Sequence, residues 1–278
     1  MYLRPTSLAE AVSALASGDA QILAGGTDFY PALGDRPARG KIVDVTRLRE
    51  LRGISFEPEC IRIGGLTTWT DVMGAPLPRC FDALKAAARE VGSVQIQNRG
   101  TVAGNLCNAS PAADGVPPLL ALDAEVELVS PVGARRVRLD DFILGNRKTQ
   151  RRADELLAAI LIPRKYKMAA SAFVKLGARR YLVISIAMVA VVLAADEAGC
   201  VLLARVAVGS CSAVARRLPE LEAALVGCSL RDDVSKCVEA RHLAALTPID
   251  DVRATAAYRM DAALTLVRRA LCECAGKF

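Results

Sequence analysis

Two short glycine-bearing stretches constrain this chain more than anything else in it. They are A-G-G-T-D at residues 24–28 and G-T-V-A-G-N at residues 100–105. The second runs on through L-C-N-A-S-P-A-A-D to Asp114. Glycine has no Cβ, so backbone there can approach a ligand closely. Each stretch also carries small hydroxyl, amide or carboxylate groups suited to phosphate, ribityl or ring contacts. Two phosphate-friendly loops about one supersecondary unit apart suggest a pyrophosphate gripped from both sides, as in a dinucleotide cofactor. Neither G-x-G-x-x-G after a strand nor G-x-x-x-x-G-K-[ST] occurs, which argues against the usual NAD site and against an ATPase.

At 278 residues the chain has room for one large domain or two small ones. Its 53% hydrophobic and 24% charged residues describe a globular protein rather than a disordered one. The net charge of +6 is mild and its arginines fall in scattered pairs, such as Arg135-Arg136 and Arg216-Arg217. No basic run is interleaved with aromatics, so no nucleic-acid partner is expected. The opening M-Y-L-R-P-T-S has no apolar core of a signal peptide. The longest apolar run, residues 182–195, is too short to span a bilayer and reads as a buried strand. A cytoplasmic location is the expectation.

Nine cysteines are scattered without a C-x-x-C, which fits reduced thiols in the core. An iron–sulfur cluster usually needs a tight cysteine run, so any such cluster belongs to another chain. His242 is the sole histidine, in a helix-like stretch, and reads as structural. One histidine argues against a histidine-rich metal site or a Ser-His-Asp triad. No metal ligands and no catalytic acid–base residues are expected.

The first part of the chain mixes short elements. Ser7 opens a helix over residues 7–17, with Glu10 completing an S-x-x-E capping box. Short strands follow at 21–24, 41–45 and 60–64, then helices near 70–73 and 81–91. Residues 117–124 read as a helix opened by proline, 125–130 and 158–163 as strands. Beyond a boundary near 163–168 the pattern changes. Three longer apolar strands at 172–176, 184–195 and 201–209 predict an antiparallel sheet. Helices are predicted at 219–225, 232–246 and 250–274. The fold class is α+β: two small mixed subdomains, about 1–53 and 54–167, then a C-terminal domain, 168–278, with a three-stranded sheet and a helical bundle.

These motifs, in this order, resemble the FAD-binding (medium) subunit of the molybdenum hydroxylases, the carbon monoxide dehydrogenase and xanthine dehydrogenase type. P-T-S-L-A-E-A-V matches the family's opening helix and I-L-A-G-G-T-D its first FAD loop. Q-I-Q-N-R-G-T-V-A-G-N-L-C-N-A-S-P-A-A-D matches its second. F-V-K-L-G-A-R-R and T-P-I-D-D-V-R-A-T-A-A-Y-R match its C-terminal domain. Ala103 departs from the family, which often has glycine there, and Gly34-Asp35-Arg36 replaces a lysine-bearing segment.

The resemblance implies FAD bound by Ala24, Gly25, Gly26, Thr27, Asp28 and Phe29 on one side and by Thr101, Gly104 and Asn105 on the other. Asp114 matches a residue near the flavin, Leu157 one that packs on the ring, and Lys175 one at the ring's polar edge. It further implies an oxidoreductase subunit with a large molybdopterin-binding partner and a small [2Fe–2S] partner. Electrons would pass from the clusters through FAD to NAD, quinone or oxygen. Two other readings stand beside it: an assembly module that kept the fold without FAD, and a stand-alone FAD oxidoreductase.

Overall fold

The computed structural model describes residues 1–166 and 168–278. Lys167, at which the sequence places the domain boundary, lies outside the described residues.

The N-terminal segment builds a small parallel sheet from β1 (Tyr2–Leu3), β2 (Ala20–Leu23) and β3 (Lys41–Asp44), in the order β1-β3-β2. Helix α1 (Leu8–Leu15) crosses between β1 and β2, and α2 (Phe29–Leu33) follows β2. Ser7 caps α1, its Oγ accepting from the Glu10 amide at 3.2 Å. The reciprocal half of the expected box is displaced by one residue. The Glu10 carboxylate accepts from the amide and hydroxyl of Thr6 rather than from Ser7. Ala11 and Leu15 pack with Val43, Leu48, Leu66, Leu156 and Ala158 in a small core of their own.

A second sheet is antiparallel, with strands β4 (Ile54–Phe56), β5 (Cys60–Gly64), β6 (Glu125–Ser130) and β7 (Gly133–Arg138). Past the hairpin of β8 (Ile143–Gly145) and β9 (Lys148–Thr149), β10 (Leu156–Pro163) enters its centre, giving the order β4-β5-β10-β6-β7. Five helices lie between β5 and β6: α3 (Trp69–Gly74), α4 (Asp82–Glu90), α5 (Val94–Arg99), α6 (Val102–Asn108) and α7 (Val116–Ala121). The short α8 (Leu139–Phe142) follows β7. The second glycine stretch is therefore not a loop. Gly100 and Thr101 form the sharp joint between α5 and α6, the residues beyond them are helical as far as Asn108, and residues 109–115 form an irregular turn.

The third sheet runs β11 (Ala170–Leu176), β12 (Ala187–Ala195), β13 (Val201–Gly209) and β14 (Arg216–Arg217), all antiparallel. Three of these strands are visible as apolar runs; β14 has two arginines and no pattern to reveal it. Short α9 (Pro219–Leu225) and the long α10 (Ala256–Ala275) cover the outer face. The helix expected over 232–246 is two 3-10 turns, Val234–Cys237 and Ala240–Leu243. Asp233 and Glu239 interrupt it, each starting a new turn: the Asp233 carboxylate accepts from the Ser235 amide, and the Glu239 amide donates to His242 Nδ1. The helical part is thus one long helix with short pieces, not a bundle. His242 is buried, its Nδ1 accepting from the Glu239 amide at 3.1 Å, a structural role.

Strand alternation explains the layering. Met188, Ala190 and Val192 of β12 face a central core that also holds Leu84, Leu106, Leu119, Ile160 and Ile162. Val189, Val191 and Leu193 face the opposite core, under α10. Both faces of β12 are covered, so its sequence is apolar at every position instead of alternating. The helices α3, α4, α6 and α7 are consequently held between the second and third sheets.

Candidate functional site

β2 delivers the chain into the first glycine stretch at the edge of the small sheet. A Cβ on Gly25 would fall on the backbone carbonyl of Arg99, so the two motifs touch backbone to backbone and only glycine fits. Gly26 sits at φ +79°, the left-handed region that other residues enter at a cost. The amides of Gly25, Gly26, Thr27 and Asp28 donate to no protein acceptor among the described residues. Successive free amides of this kind form a concavity for an anion.

The other side is assembled by α3. The Trp69 amide donates to the Gly100 carbonyl at 3.2 Å, and the Val102 amide to the Thr67 carbonyl at 3.0 Å. These bonds pin the joint between α5 and α6. Thr101 then caps α6, its Oγ1 accepting from the Gly104 amide at 2.9 Å. Ala103 lies inside α6 without a left-handed φ, so the departure from glycine costs nothing there. Asn108 Nδ2 donates to Asp28 Oδ1 at 2.9 Å, tying the two motifs together. Asn105 Oδ1 is buried and has no hydrogen-bond partner. An orphaned buried acceptor is costly unless something absent from the chain satisfies it.

Between the motifs lies a cleft of about 540 Å³. Ala24, Gly25, Gly26, Thr27, Asp28 and Phe29 line one side; Thr101, Gly104 and Asn105 line the other. Leu157 joins them from the second sheet. The β10 register shifts between Leu157 and Ala159, a bulge that accounts for a strand residue reaching the cleft. Trp69, Gly65 and Arg151 also line it and were not singled out from the sequence. Trp69, the chain's one tryptophan, was the available signal. Arg151 gave none, being one of many paired arginines. It is the only cation lining this cleft among the described residues, and it donates to the Glu155 carbonyl at 2.7 Å.

A second cleft of about 920 Å³ adjoins the first, with Asp28, Asn105 and Asn108 on the lining of both. Asp114 lies here rather than in the first cleft. Its Oδ2 pairs with Lys175 Nζ at 2.7 Å and its Oδ1 accepts from Ser185 Oγ at 2.6 Å. Burial raises the Asp114 carboxyl above the ordinary carboxylate range, against the pull of Lys175 and Ser185. Lys175 lines neither cleft and reaches the site through Asp114. Burial also pushes the Cys107 thiol on the first cleft up to about 11, so it stays protonated near neutral pH.

The donor set fits FAD. Free amides and a capped helix joint suit a pyrophosphate, the orphaned Asn105 oxygen lacks only a donor, and two adjoining clefts leave length for a dinucleotide.

Comparison with known proteins agrees with that geometry. Residues 1–165 match the family model described as the FAD binding domain in molybdopterin dehydrogenase. Residues 172–274 match the CO dehydrogenase flavoprotein C-terminal domain. The chain is 40% identical over 183 residues to the nicotinate dehydrogenase FAD-subunit of Eubacterium barkeri, a match covering 64% of this chain and 62% of that one. It thus spans less than two thirds of that relative's length. It is 30% identical over 274 residues to the carbon monoxide dehydrogenase medium chain of Hydrogenophaga pseudoflava, covering 97% of this chain and 95% of that one. A solved structure of carbon monoxide dehydrogenase from the same organism superposes with a TM-score of 0.88 at 31% identity, covering 99% of this chain and 96% of that one. No helix among the described residues is long and apolar enough to cross a membrane. The chain belongs to the family of FAD-binding medium subunits of the molybdenum hydroxylases.

Proposed function

We propose that this chain is the electron-transfer flavoprotein subunit of a molybdenum-containing dehydrogenase. Its partners in that reading are a large molybdopterin-binding subunit and a small [2Fe–2S] subunit, and the substrate is oxidised on the large one. Bound FAD supplies two-electron storage between the clusters and an acceptor, which is NAD, quinone or oxygen. The unpaired cysteines fit a reducing compartment, so the cytoplasmic placement remains part of the proposal. The division into residues 1–167 for FAD and 168–278 for the C-terminal unit, with subdomains about 1–53 and 54–167, is part of it too.

The chain's own residues bind and orient. The amides at residues 25–28 face the pyrophosphate from one side, with Ala24 and Phe29 flanking them. Thr101, Gly104 and Asn105 line the other side, with Asn105 Oδ1 accepting from a sugar or ribityl hydroxyl of the cofactor, since the pyrophosphate has no proton to donate. Leu157 packs against the ring and excludes water there. Asp114, held by Lys175 and Ser185, sets the charge at the ring's polar edge.

The orphaned Asn105 oxygen carries this reading, because a chain that had lost its cofactor would gain by removing it. Asn105→Ala tests it. The cofactor-free variant is expected to be no less stable than the parent in urea, while its flavin content after purification falls at least tenfold. Unchanged flavin content would remove Asn105 from the site. A colourless parent chain that fails to take up added FAD would overturn the whole reading in favour of an assembly module. Full turnover by the chain without partners would favour the stand-alone oxidoreductase.

A further inference from the structure

Cys228 and Cys237 lie together in the C-terminal unit, with their sulfurs 3.4 Å apart. Neither belongs to the FAD site, and neither is needed by the function proposed above. Cys228 follows the left-handed Gly227 at the end of α9, and its amide is tied back to the Leu225 carbonyl at 3.1 Å. Cys237 closes the 3-10 turn Val234–Cys237. That turn is itself anchored: Asp233 accepts from the Ser235 amide and hydroxyl, and Arg268 of α10 donates to the Val238 carbonyl at 2.8 Å. Two separately held pieces of backbone therefore aim two thiols at each other. Both residues are half-buried, so a small oxidant reaches them.

The other seven cysteines differ. Cys80, Cys211 and Cys274 are fully buried, and Cys272 is exposed with its sulfur near Asp233 rather than near another thiol. No other pair of sulfurs makes contact among the described residues. Burial, and then the hydrogen bond with Cys228, holds the Cys237 thiol above its ordinary value. Near neutral pH the Cys237 thiol is mostly protonated, so closure runs through its small thiolate fraction.

We propose that Cys228 and Cys237 are a redox-responsive dithiol, closed to a disulfide by hydrogen peroxide and reopened by a small thiol reductant. One thiolate attacks a peroxide oxygen; the O–O bond breaks, water leaves, and that sulfur becomes a sulfenic acid. The second sulfur attacks it, the S–O bond breaks, a second water leaves, and the S–S bond forms. In sum, two thiols and one peroxide give one disulfide and two waters. Reduction by a dithiol returns both S–H groups and leaves the reductant as its own disulfide. The closed form staples the end of α9 to the turn that packs under α10.

The full chain, treated with a few equivalents of hydrogen peroxide and digested with trypsin, reads this directly. Residues 218–231 and residues 237–241 are separate tryptic peptides with one cysteine each. The expected result is one dominant cross-linked species joining them, two hydrogens lighter than the two peptides together and abolished by dithiothreitol. The oxidised chain is expected to melt on the order of 5 °C higher than the reduced one. The Cys228→Ser/Cys237→Ser chain should melt at the same temperature with and without peroxide. Separate sulfinic acids at the two positions, or a dominant cross-link through Cys272, would overturn the proposal. The peptide readout needs no variant to fold, and its outcome is independent of whether the chain carries flavin.

Discussion

Gly25 and Gly26 are neighbours, yet they resist substitution for different reasons. At Gly25 a Cβ meets the Arg99 backbone, which cannot move without dragging the joint between α5 and α6. At Gly26 it meets the Tyr30 ring at 2.8 Å, a side chain that is exposed and can swing away, and the residual cost is the left-handed φ. Gly25→Ala should therefore cost more stability than Gly26→Ala, which loses about 1 kcal/mol from backbone strain. Urea midpoints of the two cofactor-free chains give the order, and equal losses would mean the two motifs are not in backbone contact. Asp114 and Lys175 make a second residue-scale case. Both are largely buried, so removing one charge strands the other. Asp114→Asn is expected to destabilise by about 3 kcal/mol. Adding Lys175→Met should recover most of that loss, and a strictly additive double variant would show that the pair does not act as a unit.

At the scale of elements, the joint between α5 and α6 decides whether the second motif holds its shape. Helix α6 has seven residues, too short to persist on propensity alone. Its stability comes from the Thr101 cap, from the bonds to Thr67 and Trp69, and from Val102, Ala103 and Leu106 in the central core. Thr101→Ala removes the cap and should cost about 1 kcal/mol, while Thr101→Ser keeps it. Flavin affinity should follow the same order, since the cap also fixes where Gly104 and Asn105 face the cleft. Equal affinities for the alanine and serine variants would separate the cap from the site. The residues from Gln95 to Asp114 were recognisable as a motif, but its polarity reads as a loop. Packing against β10 and α3 makes its first two thirds helical, as α5 and α6, while residues 109–115 stay irregular.

Across the whole molecule, Asp123 joins pieces that are far apart in the chain. Held at φ +50°, it accepts from Arg217 Nη1 at 2.7 Å and from Lys165 at 2.9 Å, with Tyr166 and Arg205 also on its carboxylate. Arg217 in turn grips Glu222 at the start of α9. This network bridges the second sheet and the third. Those hydrogen bonds and cations hold the Asp123 carboxyl well below the usual range although burial opposes them, and Asp71 and Glu155 are lowered by their arginine partners in the same way. A carboxylate whose folded pKa is depressed stabilises the fold above its unfolded pKa, and that contribution disappears as pH falls through the folded value. Stability should therefore be flat from neutral pH down to about 4 and then drop steeply. Asp123→Asn should cost about 3 kcal/mol at neutral pH and make the acid limb shallower. An unchanged acid limb in that variant would assign the acid sensitivity to other carboxylates. Asp114 works the other way: its raised carboxyl favours protonation in the fold and adds nothing to acid lability.

The sequence alone determined the two motifs, the change from short mixed elements to long apolar strands, and the identity of the residues that need no Cβ. These are local properties: glycine at a tight approach, alternation within a strand, a hydroxyl before a helix. Leu157 came from family resemblance and not from any pattern of its own, because a leucine in a strand announces only that it is apolar. Tertiary structure decided the rest. It placed Leu157 at a bulge facing the cleft, sent Asp114 to the adjoining cleft with Lys175 behind it, and added Trp69, Gly65 and Arg151 to the lining. It also split one expected helix into two turns, the first of which brings Cys237 against Cys228 at the end of α9. Such placements depend on which surfaces meet across long separations in the chain, and no local spacing encodes that.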